Sequence, residues 1–378
     1  MFRSPHGILD RRDPPPRILL LAFLPLGDTL FATPMIRALR ERYPQARLSA
    51  LAHAGNVPLL CCVPALDDVL VLPTGPDWHG LAPLLGTLRT LRARRYDVAI
   101  DLTSPIYKWI SMLCGIPVRT YMKFDRLWWL LPARHRRWRA THMTQHYYEC
   151  ARELDLPPWD ERRAVPWIAL PDHAREAGQH LFRRWGILHT DRPLICIHMG
   201  GTWLHGLKRW PSERFVALAD RLQEQWEAHI LLLGGPEDAL LVSGIAARMR
   251  HTPIMATRGV PLLTSLALIE GCDLFIGNDS SLLHAAAALG TPFVGIYGPT
   301  NLANFRPLAG HTGQGMVVLP GHPCCTPQYA VGGSPIWRRP DCRGSCRALA
   351  TISVDAVYEQ AVGLLARHRR TGRVGTHA

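Results

Sequence analysis

Several short segments carry side chains whose type and spacing could do chemistry. Pro25-Leu26-Gly27-Asp28-Thr29-Leu30 follows an apolar run at 17–24. A carboxylate there, just behind a glycine at a strand end, is either a general base at the rim of a cleft or a helix cap. His198-Met199-Gly200-Gly201-Thr202 precedes Lys208-Arg209-Trp210-Pro211. The two glycines let backbone approach a ligand, and Lys208 or Arg209 could neutralise a diphosphate before a helix that Pro211 starts. Gly234-Gly235-Pro236-Glu237-Asp238 puts carboxylates where ribose hydroxyls are commonly taken, or where a helix needs a cap.

The clearest signal is at 274–300, LFIGNDSSLLHAAAALGTPFVGIYGPT. A strand ends at Gly277, Asn278-Asp279-Ser280 turn the chain, and a helix from Ser281 to Leu289 closes at Gly290. The amides and positive dipole end of its first turn, around Ser281 and Leu282, suit a phosphate. Ser280 and Ser281 add hydroxyls, and His284 shares a helix face with Ser280. An ordinary capped helix with a structural histidine is the plain alternative. The segment after the first apolar run lacks G-x-G-x-x-G, so a standard dinucleotide fingerprint is absent.

These residues need elements to position them, and the pattern supplies two alternating halves. Strands are predicted at 17–24, 47–52, 68–72 and 97–102, then at 194–198, 229–233, 274–277 and 293–297. Helices are predicted at 81–95, 212–225, 237–249, 262–269, 281–289 and 354–368. The first helix has two readings. Thr33-Pro34 can cap a helix over 35–43, or the helix can begin after Gly27 with Pro34 inside it. Continuous apolar strands between helices imply parallel sheets covered on both faces. The Pro-rich stretch 156–172 reads as a linker. This gives a loose tail over 1–16, a first Rossmann-like domain over 17–170, a second over 171–352, and a terminal helix with a basic tail over 353–378.

The composition fits a globular chain, with 47% hydrophobic and 19% charged residues. The excess of 43 basic over 30 acidic residues gives a net charge of +13, which implies an acidic partner. No apolar run spans a bilayer and no signal-peptide core is visible, so a cytoplasmic protein with reduced cysteines is expected. Cys61, Cys62, Cys114, Cys150, Cys196 and Cys272 lie in or beside apolar stretches and are read as small core residues. Cys324, Cys325, Cys342 and Cys346 flank a Pro/Gly-rich loop. A structural metal there is disfavoured by the adjacent pair and by the missing C-x2-C spacing. The stretch 123–139 sets Trp128 and Trp129 among Lys123, Arg126, Arg134, Arg136 and Arg137, which suits an anionic membrane surface or a phosphorylated lipid-linked sugar. A solvated basic helix is the plain alternative, and no nucleic-acid partner is expected.

Together, GDTLFATPMIRALRERYPQARLSAL, GGTWLHGLKRWPSERF and GNDSSLLHAAAALGTPFVGIYGPT resemble, in order, motifs of the family 9 glycosyltransferases, the heptosyltransferases of lipopolysaccharide core synthesis. The resemblance spans roughly 17–365. It implies a GT-B fold, with two Rossmann-like domains facing across a cleft and a last helix returning to the first domain. It implies an inverting transfer of a sugar from a nucleotide donor, ADP-heptose, to an anionic lipid-linked glycan at the cytoplasmic face of the inner membrane. Carried onto this chain, it makes Asp28 the base. Donor contacts would come from Gly27, Thr29, Gly200, Gly201, Thr202, Lys208, Glu237, Asp279, Ser280, Ser281, Leu282 and His284. No cofactor is implied, and no D-x-D-like motif stands where the resemblance would place one, so no catalytic metal is expected. Ser281 stands where the family often has glycine. The alternatives are another nucleotide sugar going to a glycan or protein, a sugar-nucleotide epimerase, and an inactive binding relative.

Overall fold

A computed structural model of the chain describes residues 9, 14–72, 81–103, 108–121, 141–188, 190–200, 208–298, 300–309, 314–320 and 346–370. The chain divides into two compact units, Met1–Ala169 and Leu170–Ala378, and the boundary falls within the Pro-rich stretch.

The first unit is built on five parallel strands: β1 (Arg17–Leu21), β2 (Arg47–His53), β3 (Asp68–Leu72), β4 (Val98–Asp101) and β5 (Val118–Tyr121). Their order is β3-β2-β1-β4-β5, and Leu20 of β1 sits between Ala50 and Ile100. The apolar run of β1 is buried on both faces, as its sequence requires. Helices α1 (Leu26–Arg42), α2 (Val57–Leu60), α3 (Leu81–Ala93), α4 (Lys108–Leu113) and α5 (Met143–Cys150) complete it.

Helix α1 follows the second of the two sequence readings: it starts at Leu26 and carries Pro34 in its interior. Proline there removes the amide that would pair with the Leu30 carbonyl. The Thr33 hydroxyl donates to that carbonyl at 2.8 Å and also accepts from the Trp167 amide at 2.9 Å. Thr33 is thus not a cap. It repairs the ladder that Pro34 interrupts.

The second unit has six parallel strands: β6 (Leu194–His198), β7 (His229–Leu233), β8 (Ile254–Ala256), β9 (Leu274–Asn278), β10 (Phe293–Ile296) and β11 (Gly315–Val318). They run β8-β7-β6-β9-β10-β11, the doubly wound Rossmann order. The helices are α6 (Asp172–Arg184), α7 (Ser212–Trp226), α8 (Ala239–Ala246), α9 (Leu262–Glu270), α10 (Ser281–Leu289), α11 (Leu302–Phe305) and α12 (Val354–Arg370).

Val357, Tyr358, Ala361, Leu364 and Leu365 of the terminal helix α12 are buried in one cluster with Ile276 of β9, Val294 of β10 and Leu222 of α7. Its apolar face therefore packs into the second unit's own core. The cysteines divide. Cys62, Cys150, Cys196 and Cys272 are buried, whereas Cys114 is half-buried and Cys61, just past the end of α2, is exposed. Among the described residues, no helix is long and apolar enough to cross a membrane.

Candidate active site

Doubly wound sheets bind ligands beyond the carboxyl ends of the strands, where the strand order reverses. In the first unit that point lies between β1 and β4; in the second it lies between β6 and β9. The chain leaving β1 carries Asp28. The chain leaving β6 leads to Lys208, and β9 ends at Asn278 followed by Asp279. The residues singled out by their chemistry thus fall at the two places where the topology offers a site.

In the first unit, Asp28 lies in the first turn of α1 and is partly exposed. Its Oδ1 accepts from the Tyr147 hydroxyl at 2.8 Å. Gly27 and Thr29 are buried. The Thr29 hydroxyl donates to the Pro25 carbonyl at 3.1 Å and accepts from the Asn56 amide at 3.2 Å. Asn56 also reaches the Leu24 carbonyl. These two expected contact residues therefore stiffen the strand-to-helix turn. The side chain that the turn presents is Asp28.

In the second unit, Lys208 forms an ion pair with Oδ2 of Asp279, and the Thr300 hydroxyl donates to the same oxygen at 2.5 Å. His284 Nε2 stands 3.6 Å from Oδ1, too long for a hydrogen bond but close enough to act electrostatically. Asp279 is buried, which alone would raise its pKa. Lys208 and His284 outweigh that and hold the carboxyl below the ordinary range. Next to it, Tyr297 is pushed far above its usual pKa by burial and by the Asp279 charge, so its phenol stays neutral and donates to the Phe305 carbonyl at 3.0 Å. Oδ2 of the Asp279 carboxylate is occupied by the Lys208 and Thr300 donors. It anchors Lys208 beside the start of α10 rather than offering an anion to a phosphate.

Helix α10 is capped as its sequence requires. Ser280 accepts from the Leu283 amide at 3.4 Å, and Gly290 ends the helix at φ 80°. The amides of Ser281 and Leu282 have no intrahelical carbonyl to reach, and both residues are only partly buried. His284 is buried against Asp279 and is a structural neighbour of that anchor.

Gly200 has a packing role within the second unit. A Cβ there would come within 2.2 Å of Asp238 Oδ2. The space is filled by a buried carboxylate, so the missing side chain makes room for Asp238. Asp238 gives α8 no side-chain cap. It faces Arg209 at 3.4 Å, which leaves Lys208 as the cation beside α10. Glu237 is exposed beyond β7 and remains the carboxylate able to meet a ribose. His198 is buried with Nδ1 2.9 Å from the Leu233 carbonyl; burial lowers its pKa, so the ring is neutral at pH 7.

The sequence reading placed Asn278 in a turn but did not reveal its bridging role. The buried Asn278 amide donates to the Met199 carbonyl at 2.9 Å and accepts from the Trp210 amide at 3.0 Å. A single side chain thus ties the chain leaving β6 to the chain starting α7, and so fixes the positions flanking Lys208. Trp210 is itself held by its indole nitrogen on the Ile352 carbonyl at 3.0 Å. The sequence offered one signal for this role: an asparagine closing an otherwise apolar strand.

Gly201, Thr202, Lys123, Arg126, Trp128, Trp129, Arg134, Arg136 and Arg137 lie outside the described residues, as do Cys324, Cys325 and Cys342. Cys346 is buried. Among the described residues, no cluster of histidine, cysteine and carboxylate side chains could hold a metal.

Comparison with known proteins defines the class. Residues 85–329 match the model of glycosyltransferase family 9 (heptosyltransferase), and the chain belongs to that family. It is a glycosyltransferase of the heptosyltransferase type, from a family of lipopolysaccharide core synthesis. It is 27% identical over 325 residues to lipopolysaccharide heptosyltransferase 2 of Salmonella typhimurium, covering 81% of this chain and 89% of that one. It is 26% identical to lipopolysaccharide heptosyltransferase 3 of Escherichia coli over 289 residues, 74% of this chain and 82% of the relative. Among solved structures, a family 9 glycosyltransferase from Veillonella parvula superimposes with a TM-score of 0.74 at 21% identity, covering 93% and 97% of the two chains. The Escherichia coli ADP-heptose lps heptosyltransferase II superimposes at 0.71 and 23% identity, covering 94% and 99%. The fold class is accordingly GT-B, two parallel-sheet α/β domains.

Proposed function

We propose that this glycosyltransferase moves heptose from ADP-heptose onto a lipopolysaccharide core-type acceptor, with inversion at the anomeric carbon. The observation that carries the reading is the Lys208–Asp279 pair at the start of α10, at the strand-order reversal of the second sheet. A fixed ammonium beside two helix amides that have no intrahelical partner matches the charge of a departing nucleoside diphosphate. In this mechanism Asp28 takes the proton of the acceptor hydroxyl as that oxygen attacks the anomeric carbon. The bond to the diphosphate breaks, and the charge left on it is met by Lys208 and the amides of Ser281 and Leu282. Glu237 takes the ribose hydroxyls. Asp279 and Asn278 hold this arrangement without touching phosphate. The donor choice rests on the relatives, whose names specify heptosyl transfer and, for the Escherichia coli structure, ADP-heptose.

The net charge of +13 supports an anionic acceptor presented at the cytoplasmic face of the inner membrane, with the protein peripheral to it. Calorimetric titration with ADP, UDP and GDP tests the donor assignment. ADP should bind at least tenfold more tightly than the other two. A preference for UDP or GDP would redirect the reading to another nucleotide sugar.

A further inference from the structure

Two adjacent tyrosines on α5 do different things. Tyr148 turns outward: its hydroxyl donates to the Pro157 carbonyl at 2.8 Å, and its ring meets Trp159 edge-on at 5.4 Å. Tyr147 turns inward, is 3% exposed, and donates to Asp28 Oδ1 at 2.8 Å. Helix α5 is fixed against α1 on either side of this contact. At its start, the His142 ring accepts from the Thr144 amide at 3.2 Å and packs edge-on against Phe31 of α1 at 5.2 Å. Beyond its end, Tyr43, which follows α1, donates its hydroxyl to the Leu154 carbonyl at 2.8 Å. The phenol is therefore delivered to Asp28 by a rigid pair of helices.

We propose that Tyr147 is a positioning residue for the Asp28 carboxylate, holding it by Oδ1 so that its plane and its basicity are set before an acceptor arrives. The inference rests on the reading of Asp28 as the base. A buried donor at 2.8 Å restricts rotation about the Asp28 Cβ–Cγ bond, and misdirected bases lose rate steeply. Donation also favours the ionised carboxylate. Burial and the Asp28 charge push the Tyr147 phenol far above its usual pKa, so it remains a donor throughout the working range. Among the described residues, the other titratable group acting on Tyr147 is Cys150 on its own helix, whose thiol is raised by burial and by Asp101 and stays neutral.

The test follows the Asp28 carboxyl directly, in full-length protein labelled with 13C at the aspartate carboxyl carbons. The Asp28 signal is assigned by its loss in Asp28→Asn. Tyr147→Phe should raise the Asp28 pKa by about one unit, a tenfold change in proton affinity. Tyr148→Phe should leave it in place. Genetically encoded 3,5-difluorotyrosine at position 147 keeps the shape of the side chain but donates more strongly, and should lower the Asp28 pKa; this arm holds even if Tyr147→Phe does not fold. With ADP-heptose and heptose-deficient lipopolysaccharide, the acid limb of kcat should move with the titration while both KM values stay within twofold. An unchanged Asp28 titration in both position-147 proteins overturns the inference. A shifted titration combined with undiminished turnover of Asp28→Asn would instead overturn the base assignment and leave the positioning contact standing.

Discussion

Lys208 and Asp279 allow the electrostatic account of the proposed donor site to be tested without substrate. Lys208→Met keeps most of the aliphatic stem and removes the charge. The Asp279 side chain is 5% exposed, so removing its counter-ion leaves a buried carboxylate that still has the Thr300 hydroxyl and His284 beside it. Breaking a buried pair costs about 3–5 kcal/mol. The lower figure applies here, about 3 kcal/mol, because Thr300 still donates and the Lys208 side chain is 18% exposed, which admits water. The pH dependence has a definite sign. In the parent protein the Asp279 pKa is depressed, so its contribution is complete above about pH 4 and is lost only in strong acid. In the variant, burial dominates and the folded pKa rises above its unfolded value. Stability then falls as pH increases through that interval, by about 1.4 kcal/mol per unit of upward shift. Urea unfolding at pH 8 and pH 5 should show the larger penalty at pH 8, against a parent protein that lacks this term in that range. A penalty below about 1 kcal/mol, equal at both pH values, would refute the view that the pair is buried and coupled.

Other perturbations test the scaffold around the site. Asn278→Ala strands the Met199 carbonyl and the Trp210 amide, so a loss of about 3 kcal/mol and weaker ADP binding are expected from denaturation and calorimetry. Gly200→Ala drives a methyl group into the Asp238 carboxylate and should cost about 1–3 kcal/mol in thermal unfolding. Much of that loss should return when Asp238→Gly is added, because the opposing group is gone. Thr33→Val leaves the Leu30 carbonyl without the hydroxyl that replaces the missing amide of Pro34, at about 1–2 kcal/mol by the same assay.

The sequence was most informative where local chemistry decides structure. The turn-helix-turn around α10 is specified by Ser280 as cap and Gly290 at positive φ, both residue types chosen by backbone geometry. The long apolar strands were equally plain, since burial on both faces demands a continuous run. Strands β5, β8 and β11 were not seen: they are three or four residues long, and their place comes from pairing with a neighbour rather than from their own pattern. The start of α1 was ambiguous because Thr-Pro is a good cap motif, and only the tertiary use of Thr33 shows why the helix passes through it. Long-range partnerships were invisible in principle. Tyr147 lies 119 residues from Asp28 and Asn278 lies 79 from Met199, distances at which no periodicity or capping rule speaks. The packing of Gly200 against Asp238 was hidden for the same reason: a glycine reports that something comes close, and only the fold shows that Asp238 is there.

The most direct test of the proposed transfer uses ADP-heptose and heptose-deficient lipopolysaccharide, with product mass and ADP release followed for the parent protein and for Asp28→Asn. The parent should add one heptose per acceptor and release ADP in equal amount. Asp28→Asn should bind ADP with unchanged affinity and lose transfer by about 10²–10⁴-fold, the range a positioned base contributes. Undiminished transfer by Asp28→Asn, or no heptose added by the parent protein, would contradict the account.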